Sequence, residues 1–152
     1  MNTGIILNHL SFADLTYRVV SEVNGFVKDN TDGLTLFVDN ISNRMVEPHC
    51  AVMDTGQVSV INDGVIIATD LSGAQSLRKA WTPSKKVFFV WNLEWIYKSE
   101  DYHTLYDTIN DPNLIIIART DAHSKVIRNA TNRSADHILE EFNLEKIHEI
   151  CR

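Results

Sequence analysis

Several short runs of this chain are apolar almost from end to end: residues 4–7, 34–38, 64–68, 86–91 and 114–118. A strand with one wet face alternates apolar and polar residues. A strand buried on both faces does not alternate, so these runs read as strands sandwiched between two layers. Longer mixed segments separate them. Residues 11–28 place Phe12, Leu15, Val19, Val23 and Phe26 or Val27 at spacings of three and four, the stripe of an amphipathic helix that Ser11 with Asp14 would cap. Residues 72–81 repeat the pattern with Ala74, Leu77 and Trp81 on one face, and 100–109 and 122–130 are helical too, the former stopped by Asp111-Pro112. Asn30 to Gly33 reads as a turn. Residues 51–53 and 58–60 flank Thr55-Gly56 and suggest a small hairpin. Residues 135–139 suggest one more short strand and 144–151 a terminal helix. Strands that alternate with helices specify a mostly parallel sheet covered on both sides, and right-handed crossovers then build an α/β three-layer sandwich, Rossmann-like or flavodoxin-like.

The 152 residues suit a single domain, 1–152. A chain of this size buries roughly 68–70% of its unfolded surface and needs no staple. Fourteen basic and twenty acidic side chains leave a net charge of −6. That disfavours a dedicated nucleic-acid surface, which wants an excess of cations. Cys50 and Cys151 are too few for a disulfide scaffold or a four-thiolate zinc site, and read as free thiols in a reducing compartment. The six histidines are scattered, with no pair at the spacing of a zinc helix, so no metal is expected. No apolar run approaches the roughly 20 residues that span a bilayer. The first residues lack a basic stretch and turn polar at Asn8. The expectation is a cytoplasmic protein without a membrane partner.

Ligands of open parallel sheets sit beyond the carboxyl ends of the strands. The candidate site residues are therefore Asn8, His9, Asp39, Asn40, Asp70, Ser72, Gly73, Asn92, Glu94, Arg119, Thr120, Asp121 and His123. No glycine-rich phosphate loop follows the first strand, and none occurs elsewhere. His9 is placed to move a proton near neutral pH; the plainer alternative is a histidine bonded to nearby backbone. Glu94 lies between Trp91 and Trp95, where apolar rings would favour a protonated carboxyl. The alternative is a packed pair of tryptophans with Glu94 paired to a lysine. Asp70-Leu71-Ser72-Gly73 offers a polar ligand a helix N-terminus, and Asp70 or Ser72 as an ordinary N-cap is the favoured reading. Arg119, Lys125, Arg128 and Arg133 make a local cationic stretch, either a phosphate contact or a solvated helix face.

The last third has a further rhythm. The strand at 114–118 leads through Arg119-Thr120-Asp121-Ala122-His123 into a helix, and then Ala135 to Ile147 follows. Asp63-Gly64-Val65-Ile66-Ile67-Ala68 and residues 85–92 are the earlier steps. Over residues 60–150 this resembles the N-terminal, acceptor-side domain of GT-B glycosyltransferases, including the phage DNA-glucosylating branch. The resemblance implies a Rossmann-like half, with residues 142–147 crossing to a second domain. It implies hexosyl transfer from a nucleotide-sugar, with no tightly bound cofactor. It places a catalytic Asp after the strand 86–91, where this chain has Asn92; Glu94 stands two residues on. The donor half would begin near Arg152.

Two functions are expected. In the first the chain is an acceptor-side domain working with a separate donor-binding chain. Glu94 or His9 then acts as base, and Asn8, Asp39, Asp70, Asn92, Arg119, Asp121 and His123 contact substrate. In the second it is a non-catalytic binding or interaction module of the same fold, with a homodimer covering an exposed seam between Phe142 and Ile150.

Overall fold

The computed structural model describes every residue except 12, 31, 32, 41–45, 94 and 96–101. The strands are β1 (Asn2–His9), β2 (Leu34–Asn40), β3 (Ala51–Asp54), β4 (Gly64–Ala68), β5 (Lys85–Val90), β6 (Leu114–Ala118) and β7 (His137–Ile138). They form one seven-stranded sheet in the order β3-β2-β1-β4-β5-β6-β7. Every pairing is parallel. The helices are α1 (Asp14–Asp29), α2 (Leu71–Lys79), α3 (Tyr102–Ile109), α4 (Asp121–Thr131) and α5 (Leu144–Ile150).

The strand pleat sorts the apolar residues into two cores. Ile5, Leu7, Val65, Ile67, Val87 and Phe89 pack with Val19, Val20 and Val23 of α1 and with Leu144 and Ile147 of α5. Ile6, Ile66, Ala68, Phe88 and Val90 pack with residues of α2, α3 and α4 on the other face. The result is a Rossmann-like three-layer sandwich, wholly parallel. Strand order runs outward from β1 to β3, then restarts at β4 on the other side of β1. Right-handed crossovers therefore put α1 on one face and α2, α3 and α4 on the other.

Two glycines allow close approaches. Gly64 opens β4 at φ +126°, and a Cβ there would meet the Asn2 carbonyl oxygen at 1.9 Å. Gly73 lets the start of α2 sit on β1, since a Cβ would come within 3.0 Å of Ile6 Cγ2.

Five expectations are corrected, the last of them Arg133. Residues 51–60 are not a hairpin: Ala51–Asp54 is a parallel edge strand, and Thr55–Val60 is a short 3-10 helix that drops Val58 into the second core. Asp54, not a β-turn pair, starts that helix by accepting from Gly56 N at 2.8 Å. Ser11 does not cap α1, whose N-cap Ala13 has no side-chain bond. Trp81 lies past the end of α2 and is 96% exposed, because Ala80 takes an extended backbone and turns the chain away from the core. The segment after Phe142 is no exposed seam. Phe142, Leu144 and Ile147 are buried on the chain's own sheet. Leu144 N donates to Glu22 Oε1 at 2.9 Å, and Thr3 Oγ1 lies 2.8 Å from His148 Nε2.

Arg133 is neither a phosphate contact nor a solvated face. Its guanidinium donates to the carbonyls of Ile109 (2.7 Å), Asp111 (2.8 Å) and Leu114 (2.9 Å) and to Asp136 Oδ2 (2.8 Å). Asp136 Oδ2 in turn accepts from Ile116 N at 2.7 Å. One planar fork thus joins the end of α3, the start of β6 and the loop to β7. Arg133→Ala should destabilise by about 2 kcal/mol or more, from lost charge-assisted bonds and unsatisfied carbonyls. Arg133→Lys should recover less than half, because an ammonium cannot reproduce the fork. Urea denaturation checks this: a lower midpoint at unchanged slope is expected, and an unchanged midpoint would show that the clamp contributes nothing.

Candidate functional site

The order reverses between β1 and β4, so the chains leaving their carboxyl ends part in opposite directions. A crevice opens where they diverge. Here it is a cavity of about 250 Å³, walled by Asn8, His9, Thr16, Asp70, Asn92 and Trp95 among others.

Each wall is held by its own local bonds. β1 ends in the exposed pair Asn8-His9 and then buries Leu10, which turns the chain toward α1. Thr16 Oγ1 of α1 donates to the His9 carbonyl at 3.2 Å, tying helix to strand end. The Ser11 hydroxyl pairs with His9 Nδ1 at 2.5 Å and orients the ring. Below them Thr69 Oγ1 donates to the Ile6 carbonyl at 2.9 Å, joining the ends of β4 and β1. Asp70 caps α2, accepting from Gly73 N at 2.6 Å. Its carboxylate is committed to that cap, as the plainer sequence reading has it. Asn92 follows β5 and is exposed. Trp95 is only 6% exposed, and its indole N–H is buried without a hydrogen-bond partner among the described residues. A buried donor left unpaired is uncommon in a folded chain and costs stability until an acceptor reaches it.

The candidate residues divide by place. Asn8, His9, Asp70 and Asn92 come together in this crevice. Asp39 does not; it lines a separate groove with the 3-10 helix and α2. Arg119 follows β6, where its guanidinium stacks on Trp91 at 4.0 Å and donates to the Glu140 carbonyl at 3.2 Å. Trp91 is buried beside Phe89, as the packing alternative has it. Thr120 caps α4 by accepting from His123 N at 3.1 Å, and Asp121 is exposed in its first turn. Asn40 and Ser72 are exposed, and Gly73 is buried. Glu94 lies outside the described residues. Thr16 and Thr69 are site residues that strand-end reasoning missed. Thr16 carries a signal: it is a hydroxyl adjoining the apolar stripe of α1, where nothing in the packing asks for one.

No cluster of three or more metal-ligating side chains occurs among the described residues. No described helix is long and apolar enough to cross a membrane. Burial pushes the Cys50 thiol up to about 11, against a smaller opposing effect from the Leu36 backbone, and burial raises Cys151 as well. Neither thiol is a ready nucleophile at neutral pH. Comparison with family models, curated proteins and solved structures gives no match to this chain.

Burial, and secondly the Arg119 charge, lower the His123 pKa from its ordinary 6.5. The folded chain therefore binds fewer protons at this ring than the unfolded chain does. The associated stability is present above the ordinary histidine range and is lost as the pH falls below it. By NMR, His123 should titrate below 6.5. Arg119→Leu should move it only part of the way back, because burial, the larger cause, stays. A His123 that titrates at the ordinary value in the intact chain would contradict this arrangement.

Proposed function

We propose that this chain is a glycosyltransferase-like acceptor-side domain, binding a hydroxylated ring of monosaccharide size in the crevice between β1 and β4. The observation that carries the reading is the unpaired Trp95 indole N–H in the same small cavity as the oriented ring of His9. An indole donor asks for a ligand oxygen. An oriented imidazole beside it suits removal of a hydroxyl proton. The cavity volume of about 250 Å³ favours one ring over a dinucleotide, since small-molecule sites run roughly 300–1,000 Å³. The sequence resemblance to GT-B enzymes supplies the reaction class, and a nucleotide-sugar held by a separate chain would supply the hexosyl group. Fold alone does not choose the function.

In this reading His9 Nδ1–H donates to Ser11 Oγ, which leaves Nε2 unprotonated to take the acceptor proton. Asn8 and Asn92 bind ligand hydroxyls, and Asn92 stands where a catalytic Asp would be. That amide favours a second reading, a binding module of the same fold without catalysis, because Asn cannot serve as a base.

The test is hexosyl transfer from a nucleotide-sugar to a panel of sugar acceptors, by the chain together with whatever donor-binding chain purifies with it. His9→Ala should lower the rate by about 10²- to 10⁴-fold. Equal rates in the two proteins would remove His9 from the mechanism. Sugar binding at the crevice without transfer in any combination would leave the binding module.

A further inference from the structure

The crevice meets the start of α2 at Asp70 and Leu71, and a second concavity meets its C-terminal half at Ser76 and Lys79. It is a groove of about 590 Å³ between the 3-10 helix and α2. Its most unusual wall is Trp81, 96% exposed. Tryptophan is highly buried on average, and an indole left in water forgoes a large hydrophobic gain.

The backbone that presents Trp81 is pinned on both sides. Ala80 N donates to the Ser76 and Leu77 carbonyls at 3.0 and 3.2 Å. The Ala80 carbonyl accepts from Lys86 Nζ at 2.7 Å. After Trp81, Thr82 Oγ1 and Ser84 Oγ both donate to the Ile61 carbonyl, at 2.5 and 2.9 Å. Pro83 stiffens the same turn. The ring is therefore held out by an ordered loop, and a ligand that stacks on it need not order the chain first.

The other walls are polar and electrically balanced. Asp39 comes from the end of β2 and Lys79 from the last turn of α2. Among the described residues neither makes an ion pair or side-chain hydrogen bond, so both are available to a ligand. Ser59 and Ser76 add exposed hydroxyls, and Thr55 Oγ1 is buried without a partner among the described residues. Among the described lining residues one carboxylate and one ammonium cancel, which with the chain's net charge of −6 disfavours a phosphate or sulfate. A flat aromatic face, a carboxylate that accepts from hydroxyls, and donors around it match a neutral sugar. Its C–H face can lie on the indole while its hydroxyls meet Asp39 and Lys79.

We propose that the groove between the 3-10 helix and α2 is a binding site for a neutral carbohydrate, stacked on Trp81 and hydrogen-bonded by Asp39 and Lys79. It shares no residue with the crevice at β1 and β4 and does not depend on transferase activity there. Its volume accommodates more than one ring, so the ligand is an oligosaccharide.

The experiment is a titration of the full chain with neutral trisaccharides (maltotriose, cellotriose, mannotriose and chitotriose), read by the indole N–H resonances of its three tryptophans. Trp81→Phe assigns the Trp81 signal. At least one trisaccharide should move Trp81 while Trp91 and Trp95 stay in place. Trp81→Ala should weaken that binding at least tenfold, and Asp39→Asn should weaken it several-fold. The thermal midpoint of Trp81→Ala should equal that of the parent, since the ring packs on nothing. The proposal is overturned if no trisaccharide moves Trp81, or if adenosine monophosphate moves it at lower concentration than any sugar. It is also overturned if Trp81 responds only to protein concentration, which would make the groove a self-association face.

Discussion

Strand β1 is paired in parallel on both edges, to β2 through Thr3–His9 and to β4 through Asn2–Ile6. Its residues from Thr3 to Leu7 are buried on both faces. A backbone in that position has no water to fall back on, so both ladders and both helix layers must be present together. Much else follows from that demand. Ile5 and Leu7 call for α1 and α5 on one face, and Ile6 calls for α2 on the other. The chain must then leave β1 in one direction and enter β4 from the other, which opens the crevice at their ends.

The apolar runs made this much legible in the sequence. A run such as Val65-Ile66-Ile67-Ala68 has no wet face to offer, and only a doubly covered sheet accommodates it. Strand-end reasoning likewise picked out Asn8, His9, Asp70 and Asn92, which line one cavity because a crevice at a switch point draws on residues just past the strands. Periodicity failed where the backbone, not the side-chain pattern, decides. Trp81 has helical spacing from Leu77, but Ala80 is already extended. Val58 has the look of a strand residue, but the Asp54 cap winds the chain into a 3-10 turn. The apolar residues of α5 suited a seam with a partner equally well. Only the sheet's uncovered face beside α1 shows where they go. Arg133 was misread because a cation in a sequence does not reveal the carbonyls that surround it.

The two concavities differ in how they are built. The crevice is small, set among strand ends, and its walls carry the Trp95 indole N–H, unpaired among the described residues, and the His9 imidazole; one hydroxylated ring is its proposed ligand. The groove at Trp81 is wider and open, with an aromatic wall and a balanced pair of charges; it is suited to holding an extended ligand without changing it. Arg119 and Trp91 belong to neither. Their stack lies past the end of β6, and the Arg119 charge adds to burial in lowering the His123 pKa.

The most direct measurement of the central claim is an amide and indole chemical-shift map of the assigned chain during titration with free hexoses and with a nucleotide-sugar. Perturbations should cluster at Asn8, His9, Thr69 to Leu71 and Asn92, with a downfield move of the Trp95 indole proton as its N–H gains an acceptor. A map that leaves Trp95 unmoved, with shifts confined to other parts of the sheet or absent, would contradict a functional centre between β1 and β4.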